Sequence, residues 1–150
     1  MQPTAFVERV RRQESLAGAD LRQADPFTVD LSGFDLRETD VSRTRRPYVT
    51  GGPFWPGGFR DPVRKAWRHV RVRGADLSGA RLDRILGKDG DFGEAKLVGS
   101  SLVEAGLRDA DFTMADVRGA DFTGSDLAGA TFYGATSDET TVWPDGFRPA

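Results

Sequence analysis

A chain of 150 residues with 38% hydrophobic content and 18 glycines suits one domain with a thin core and many tight turns. Its formal net charge is −2 and it has no cysteine. This excludes a global electrostatic pull toward nucleic acid or anionic lipid, and it excludes disulfides, thiolate metal sites and cysteine nucleophiles. No apolar run approaches the length of a membrane span or the core of a signal peptide, so the expected location is the cytoplasm, with no membrane partner.

In chain order, residues 4–13 read as a short amphipathic helix. Thr4 is placed to cap its start, and Phe6, Val7 and Val10 share one face. Residues 1–15 are therefore expected to cover one end of the molecule. From Leu16 onward a large residue recurs every five: Leu16, Leu21, Pro26, Leu31, Leu36 and Val41. Ala19 and Ala24, two places before their large residues, are small, whereas Val29, Phe34 and Thr39 at equivalent places do not fit. Residues 16–42 read as an irregular first coil and a half.

The register then breaks, because Val41 and Leu77 are 36 residues apart, which is not a multiple of five. Residues 43–73 read as an insertion of about 30 residues. Its first half is turn-rich and aromatic, with Trp55 and Phe59. Its second half has Asp61 and Pro62 as helix-start residues, with Val63, Trp67 and Val70 at helical spacing. Nine basic residues between Arg43 and Arg73 face Asp61 alone. Two readings stand: the segment packs its aromatic residues on the rest of the chain, or it projects as a basic arm. Arg and Trp are favoured interface anchors, so Arg64, Lys65, Trp67, Arg68 and Arg71 are the candidate contact residues.

Residues 74–137 repeat with strict period five. The large residues are Leu77, Leu82, Phe92, Leu97, Leu102, Leu107, Phe112, Val117, Phe122, Leu127 and Phe132, with Gly87 the one exception. Two places before each stands Ala, Ser or Gly, except Ile85 in the Gly87 unit. We read that exchange as volume compensation in one coil. A period of five fits neither a helix at 3.6 nor a strand at 2. A chain bending every five residues points all its large residues inward, each unit forming one side of a coil.

GADLS, DADFT, MADVR and GADFT resemble the pentapeptide-repeat family, whose motif is A(D/N)LXX. The resemblance implies an all-β fold, a right-handed quadrilateral β-helix with twenty residues per coil and about four to five coils here. Phe92, Phe112 and Phe132, spaced by twenty, would then stack in one interior column. Leu77, Leu97 and Val117 form a second column, Leu82, Leu102 and Phe122 a third, and Gly87, Leu107 and Leu127 the fourth. Residues 138–150 leave the repeat. Trp143 and Phe147, turned by Pro144 and Gly146, are expected to plug the last coil, as similar endings do in the family.

Charge is divided along the chain. Residues 1–88 hold 17 basic and 11 acidic side chains, and residues 89–150 hold 4 and 12. Asp111, Asp116, Asp121 and Asp126 would lie one on each side of a coil. Such aspartates serve turns by accepting backbone N–H groups. The resemblance also implies a second role. Members of the quinolone-resistance group use an acidic rod to occupy the DNA groove of gyrase.

Enzyme chemistry lacks material. His69, the only histidine, sits in a basic run, the glycines fall at repeat corners, and corner carboxylates lack a buried cleft to tune them. The expectation is a non-enzymatic interaction module with no cofactor and no metal, directed at a protein partner. A DNA mimic aimed at gyrase is the alternative. Nucleic-acid binding through the insertion comes third, because the rod is acidic. An exposed end coil would also allow two rods to pair as a homodimer.

Overall fold

A computed structural model of the chain describes residues 3–21, 31–40 and 71–149. Ala24, Pro26, Val29, Val41 and the segment from Ser42 to Val70, with Trp55, Phe59, Arg64, Lys65, Trp67 and Arg68, lie outside the described residues.

The five-residue unit is a β-turn followed by a bridge. In the unit around Leu107, the Ala110 N–H donates to the Leu107 carbonyl at 3.2 Å. Asp109, third in that turn, has φ 57°, while Arg108 before it is not in the left-handed region. A positive φ at the third turn position alone marks a type II turn, which favours glycine there. The chain supplies Gly99, Gly119, Gly124 and Gly129, but also non-glycine residues such as Asp109 and Met114. The residue before each large one pairs in parallel with its counterpart in the next coil: Asp91 with Asp111, Lys96 with Asp116, Ser101 with Asp121 and Gly106 with Asp126. Each step is twenty residues, and four such ladders run along the rod. The described residues therefore form a β-helix solenoid, held by single-residue bridges rather than continuous strands.

The large residues turn inward. Leu77, Leu82, Phe92, Leu97, Leu102, Leu107, Phe112, Val117, Phe122, Leu127 and Phe132 are all buried. The rings of Phe92 and Phe112 stack with centroids 4.8 Å apart, and those of Phe112 and Phe132 at 4.7 Å. Those distances equal the spacing of paired strands. The backbone pairing thus sets the ring separation, and the rings lie nearly parallel because no other orientation fits one per coil. Phe122 closes the neighbouring column and meets Phe112 and Phe132 edge-on. At Gly87, an added Cβ would lie 2.9 Å from Leu107 Cδ2 and 3.6 Å from Ile85 Cδ1. Leu107 therefore fills most of the volume that Gly87 leaves, with the fully buried Ile85 and Phe92 closing it from the sides.

The first coils depart from the sequence reading in several places. The helix α1 is Pro3–Arg11, so Thr4 lies inside it and is not its N-cap. Proline suits the first helical turn, where its missing N–H has no partner to lose. Phe6 is buried and Val10 packs partly against the core. Thr39 occupies the small interior site that it was expected not to fit, and it is fully buried. Its hydroxyl donates to the Leu36 carbonyl at 2.8 Å, which satisfies the one polar atom that the position adds. Ser100 does the same toward Leu97 at 2.8 Å. Phe34, too large for that site, stays half-buried against the core.

The insertion also ends earlier than the register suggested. Asp35 pairs with Asp76 and Asp40 with Arg81, a step of 41 residues. Leu31 therefore aligns with Val72, which is buried, and Arg71 pairs with Asp91. Arg71, Val72 and Arg73 belong to the rod and not to the inserted segment. Val72 escaped the sequence reading because its unit, VRVRG, lacks the small residue two places earlier and the acidic residue before the centre.

At the far end the period slips by one residue. Asp121 pairs with Val142 rather than with residue 141. The Asp138 side chain absorbs the slip. Its Oδ1 accepts the Gly119 N–H at 3.3 Å, the Thr140 N–H at 3.0 Å and the Thr140 hydroxyl at 2.6 Å. In the regular coils the equivalent acceptor is a backbone carbonyl, as for Gly99 N–H on the Arg118 carbonyl. Trp143 then stacks on Phe122 at 5.2 Å, and Phe147 meets Phe132 at 5.7 Å. Val142 and Trp143 thus continue the bridge and interior columns past the last regular repeat.

Three outcomes test this architecture. Phe112→Asp places an unpaired charge in a core one residue wide. The variant is expected to lose β-type circular dichroism at 25 °C, and a folded soluble variant would refute the interior assignment. Gly99 has φ 65°, and a Cβ added there would meet open space, so Gly99→Val isolates the backbone strain. Urea unfolding should show a loss of about 1–2 kcal/mol. Hydrogen bonds from the Thr140 hydroxyl, then the Thr140 and Gly119 amides, outweigh desolvation and lower the Asp138 pKa. Stability from this group is present above the ordinary carboxylate pKa and lost as pH falls through the lowered value. The melting temperature of Asp138→Ala should therefore be lower than that of the parent at pH 7, and the gap should close as pH falls below about 4.

Candidate interaction surface

The same units that fill the core decide what faces solvent. Each bridge residue points outward, with the two turn residues beside it, so every coil presents twelve outward positions on four sides. Asp111, Asp116, Asp121 and Asp126 lie one on each side, at four separate bridges. The structure does not bring them together.

Each of these carboxylates has a local task. Oδ1 of Asp111 accepts the Thr113 N–H at 2.8 Å, and Asp121 accepts that of Thr123 at 2.9 Å. Asp116 and Asp126 receive the amides of Arg118 and Ala128 at 3.3 and 3.1 Å. An aspartate two residues before an amide closes an Asx turn and orients the bend. Three of the four also meet a cation. Arg118 reaches Asp116 at 2.6 Å, Arg108 reaches Asp126 at 3.3 Å and Arg73 reaches Asp111 at 3.1 Å. The Arg118 hydrogen bond is the main reason the Asp116 carboxyl sits below its usual pKa. Burial pulls Asp111 up, but its bonds from Thr113 and the charge of Arg73 bring it below the ordinary value. The Asp121 carboxylate takes a hydroxyl bond from Thr123 at 2.5 Å.

Followed along the rod, no ladder is uniformly acidic among the described residues. Asp35, Asp76 and Asp116 share a ladder with Lys96, and Asp20, Asp40 and Asp121 share one with Arg81. On the side backed by the phenylalanine stack, Arg71 begins the ladder that continues to Asp91 and Asp111. There Arg73 spreads over Gly93 and binds Asp91 at 3.1 Å, Glu94 at 2.9 Å and Asp111 at 3.1 Å. A Cβ on residue 93 would collide with that guanidinium, so the glycine is what lets Arg73 lie flat. Arg71 is exposed on this side; Arg64, Lys65, Trp67 and Arg68 lie outside the described residues. Sequence reasoning placed Arg73 in the insertion and so missed the clamp. The available signal was Gly93, which sits where the other units of residues 74–137 all carry a side chain.

Large apolar side chains also reach solvent here. Tyr133 is 77% and Met114 60% exposed, on neighbouring coils joined by the Met114 N–H on the Tyr133 carbonyl at 2.8 Å. A depression beside the end of α1 is lined by Glu14, Ser15, Phe34 and Asp35 among others. Its polar groups are engaged: Ser15 donates to Asp35 at 2.7 Å, and Arg37 binds both Asp35 oxygens. Among the described residues no cluster of His, Cys, Asp or Glu has the arrangement of a metal site. No helix among them is long and apolar enough to cross a membrane.

The repeat also matches a known family model. Residues 89–124 and 105–136 match the family model for pentapeptide repeats, with eight copies. Among solved structures the chain is similar to HetL, a pentapeptide repeat protein involved in heterocyst differentiation regulation from the cyanobacterium Nostoc sp. strain PCC 7120. The identity is 27%, the match covers 82% of this chain and 44% of HetL, and the TM-score is 0.43. The chain thus spans less than half the length of HetL. It is also similar to alr5209, a pentapeptide repeat protein from Nostoc PCC 7120, at 21% identity, with 99% and 93% of the two chains covered and a TM-score of 0.40. A third likeness is to a trypsin-treated form of QnrB1, a plasmid-mediated fluoroquinolone resistance protein, at 16% identity, 80% and 60% coverage and a TM-score of 0.38. No curated protein matches the sequence. With its repeated A(D/N)LXX units wound at a twenty-residue period and matched by the repeat model, this chain belongs to the pentapeptide-repeat family.

Proposed function

We propose that the chain is a non-enzymatic interaction module: a rigid rod that presents its sides and a basic inserted segment to a protein partner. In this reading the rod is a right-handed, four-sided β-helix of about four to five coils. Residues 1–15 cap one end, 138–150 plug the other, and the module works in the cytoplasm. The candidate contacts are Arg64, Lys65, Trp67, Arg68 and Arg71, at and beside the point where the inserted segment returns to the rod.

One observation supports this reading above the others. The interior is filled by side chains, and the surface carboxylates are engaged by turns and arginines. The chemistry left to the rod is shape and contact. A DNA mimic directed at gyrase through Asp111, Asp116, Asp121 and Asp126 would favour an unbroken acidic track, but Lys96 and Arg81 interrupt the described ladders and Arg73 binds Asp91 and Asp111. Direct binding of nucleic acid has less support, because residues 89–150 carry 12 acidic against 4 basic side chains and would repel phosphate.

The test compares the full chain with a variant in which residues 44–69 are replaced by a short Gly-Ser link. Both should show the same β-type circular dichroism. Affinity capture from the host should retain a specific protein with the full chain and lose it with the variant. Equal capture by both would remove the inserted segment from the interface. Purified gyrase should supercoil DNA equally with and without micromolar full chain; inhibition or protection would establish the mimic instead. A salt-sensitive gel shift with DNA or RNA would establish the third reading.

A further inference from the structure

In a solenoid each coil touches only its neighbours, so the strength of a joint depends on the side chains that meet across it. Toward the C-terminal end the joints are aromatic. Phe92, Phe112 and Phe132 stack in one column and Phe122 stacks with Trp143 in the next. The joint between residues 31–40 and 71–81 is built differently. Register places Leu31 on Val72, Leu36 on Leu77 and Thr39 on Ala80. Those interior contacts are aliphatic and small, Phe34 adds a ring that is only half-buried against the core, and the Thr39 hydroxyl is turned to Leu36 in its own coil. An ion pair across the joint, Arg81 to Asp40, is 3.8 Å long, with Arg81 63% exposed, which contributes little. The chain crosses this joint by a 41-residue step instead of twenty, so closing it also costs more loop entropy.

We propose that residues 3–21 and 31–40 are a detachable cap, which lifts from the 71–149 rod as one unit while the rod stays folded. Main-chain bonds hold the cap down from both sides. Leu31, Gly33, Leu36 and Glu38 donate to the rod, and Asp76 and Arg81 of the rod donate back to the carbonyls of Phe34 and Thr39. The neighbouring amides of Leu77 and Leu82 point the other way, to the carbonyls of Lys96 and Ser101 inside the rod. Adjacent residues thus report on opposite joints. Lifting the cap frees the edge of residues 71–81 and leaves every bond above it intact. Local opening of this kind is what native-state hydrogen exchange resolves.

Residue-resolved amide exchange on the full chain, corrected for intrinsic rates, tests the proposal. Asp76 and Arg81 should exchange together with Leu31 and Leu36, at least about tenfold faster than Leu77 and Leu82. Leu36→Ala removes an interior contact from the joint. It should speed Asp76, Arg81 and the cap amides by about tenfold or more, with Phe112 and Val117 unchanged. Exchange of Asp76 and Arg81 at the rates of Leu77 and Leu82 would show that cap and rod open as one body and would overturn the proposal. Equal acceleration of all these amides by Leu36→Ala would do the same.

Discussion

Parallel main-chain pairing at the spacing of neighbouring strands is the constraint on which the rest of this molecule depends. Because each coil pairs with the next at the same four places, every interior position lies above its counterpart at a fixed height. The cross-section must then stay constant, and each side chain is chosen against the ones beside and above it. Leu107 fills most of the space that Gly87 leaves, and Thr39 and Ser100 enter small sites by turning their hydroxyls to a carbonyl three residues back. Asp138 lends a side-chain oxygen where a one-residue slip takes the backbone carbonyl out of register. The stacked phenylalanines follow from the same rule, since their separation is the backbone's own.

The pairing also governs the surface. A coil that turns every five residues needs an acceptor for the amide inside each bend, and aspartate before the central residue supplies it, as at Asp111, Asp121 and Asp126. Acidic residues therefore accumulate for reasons of folding before any partner is considered. Arginines on adjacent coils then settle among them. Arg73 reaches three carboxylates because Gly93 leaves its surface bare. A strongly acidic composition in residues 89–150 thus becomes a patterned surface in which turns and arginines engage the carboxylates.

The two ends of the rod are built to different standards. Aromatic stacking continues from Phe92 through the repeats to Trp143 and Phe147, which close the interior. At the other end α1 lays Phe6 over coils whose described interior residues are mainly leucine, with Thr39 buried among them and Phe34 half-buried beside them.

Much of this was legible in the residues because a five-residue period with one large and one small position is a local rule that each unit repeats. The four interior columns, the buried Phe92, Phe112 and Phe132, and the turn role of the aspartates follow from spacing and side-chain type. Thr39 and Val72 were illegible because their fit depends on a hydroxyl's partner and on a 41-residue register that no local pattern encodes. The candidate surface was less legible still: the sequence placed Asp111, Asp116, Asp121 and Asp126 on separate sides, but not the arginines that meet them. What the sequence by itself determined is the winding and which residues of the regular repeats enter the core, since both repeat from one unit to the next. What only the tertiary structure decided is how the interrupted coils realign, where Arg73 lies and how the period ends at Asp138. Those depend on contacts between residues eighteen to forty-one positions apart, where the neighbour in space is not the neighbour in the repeat.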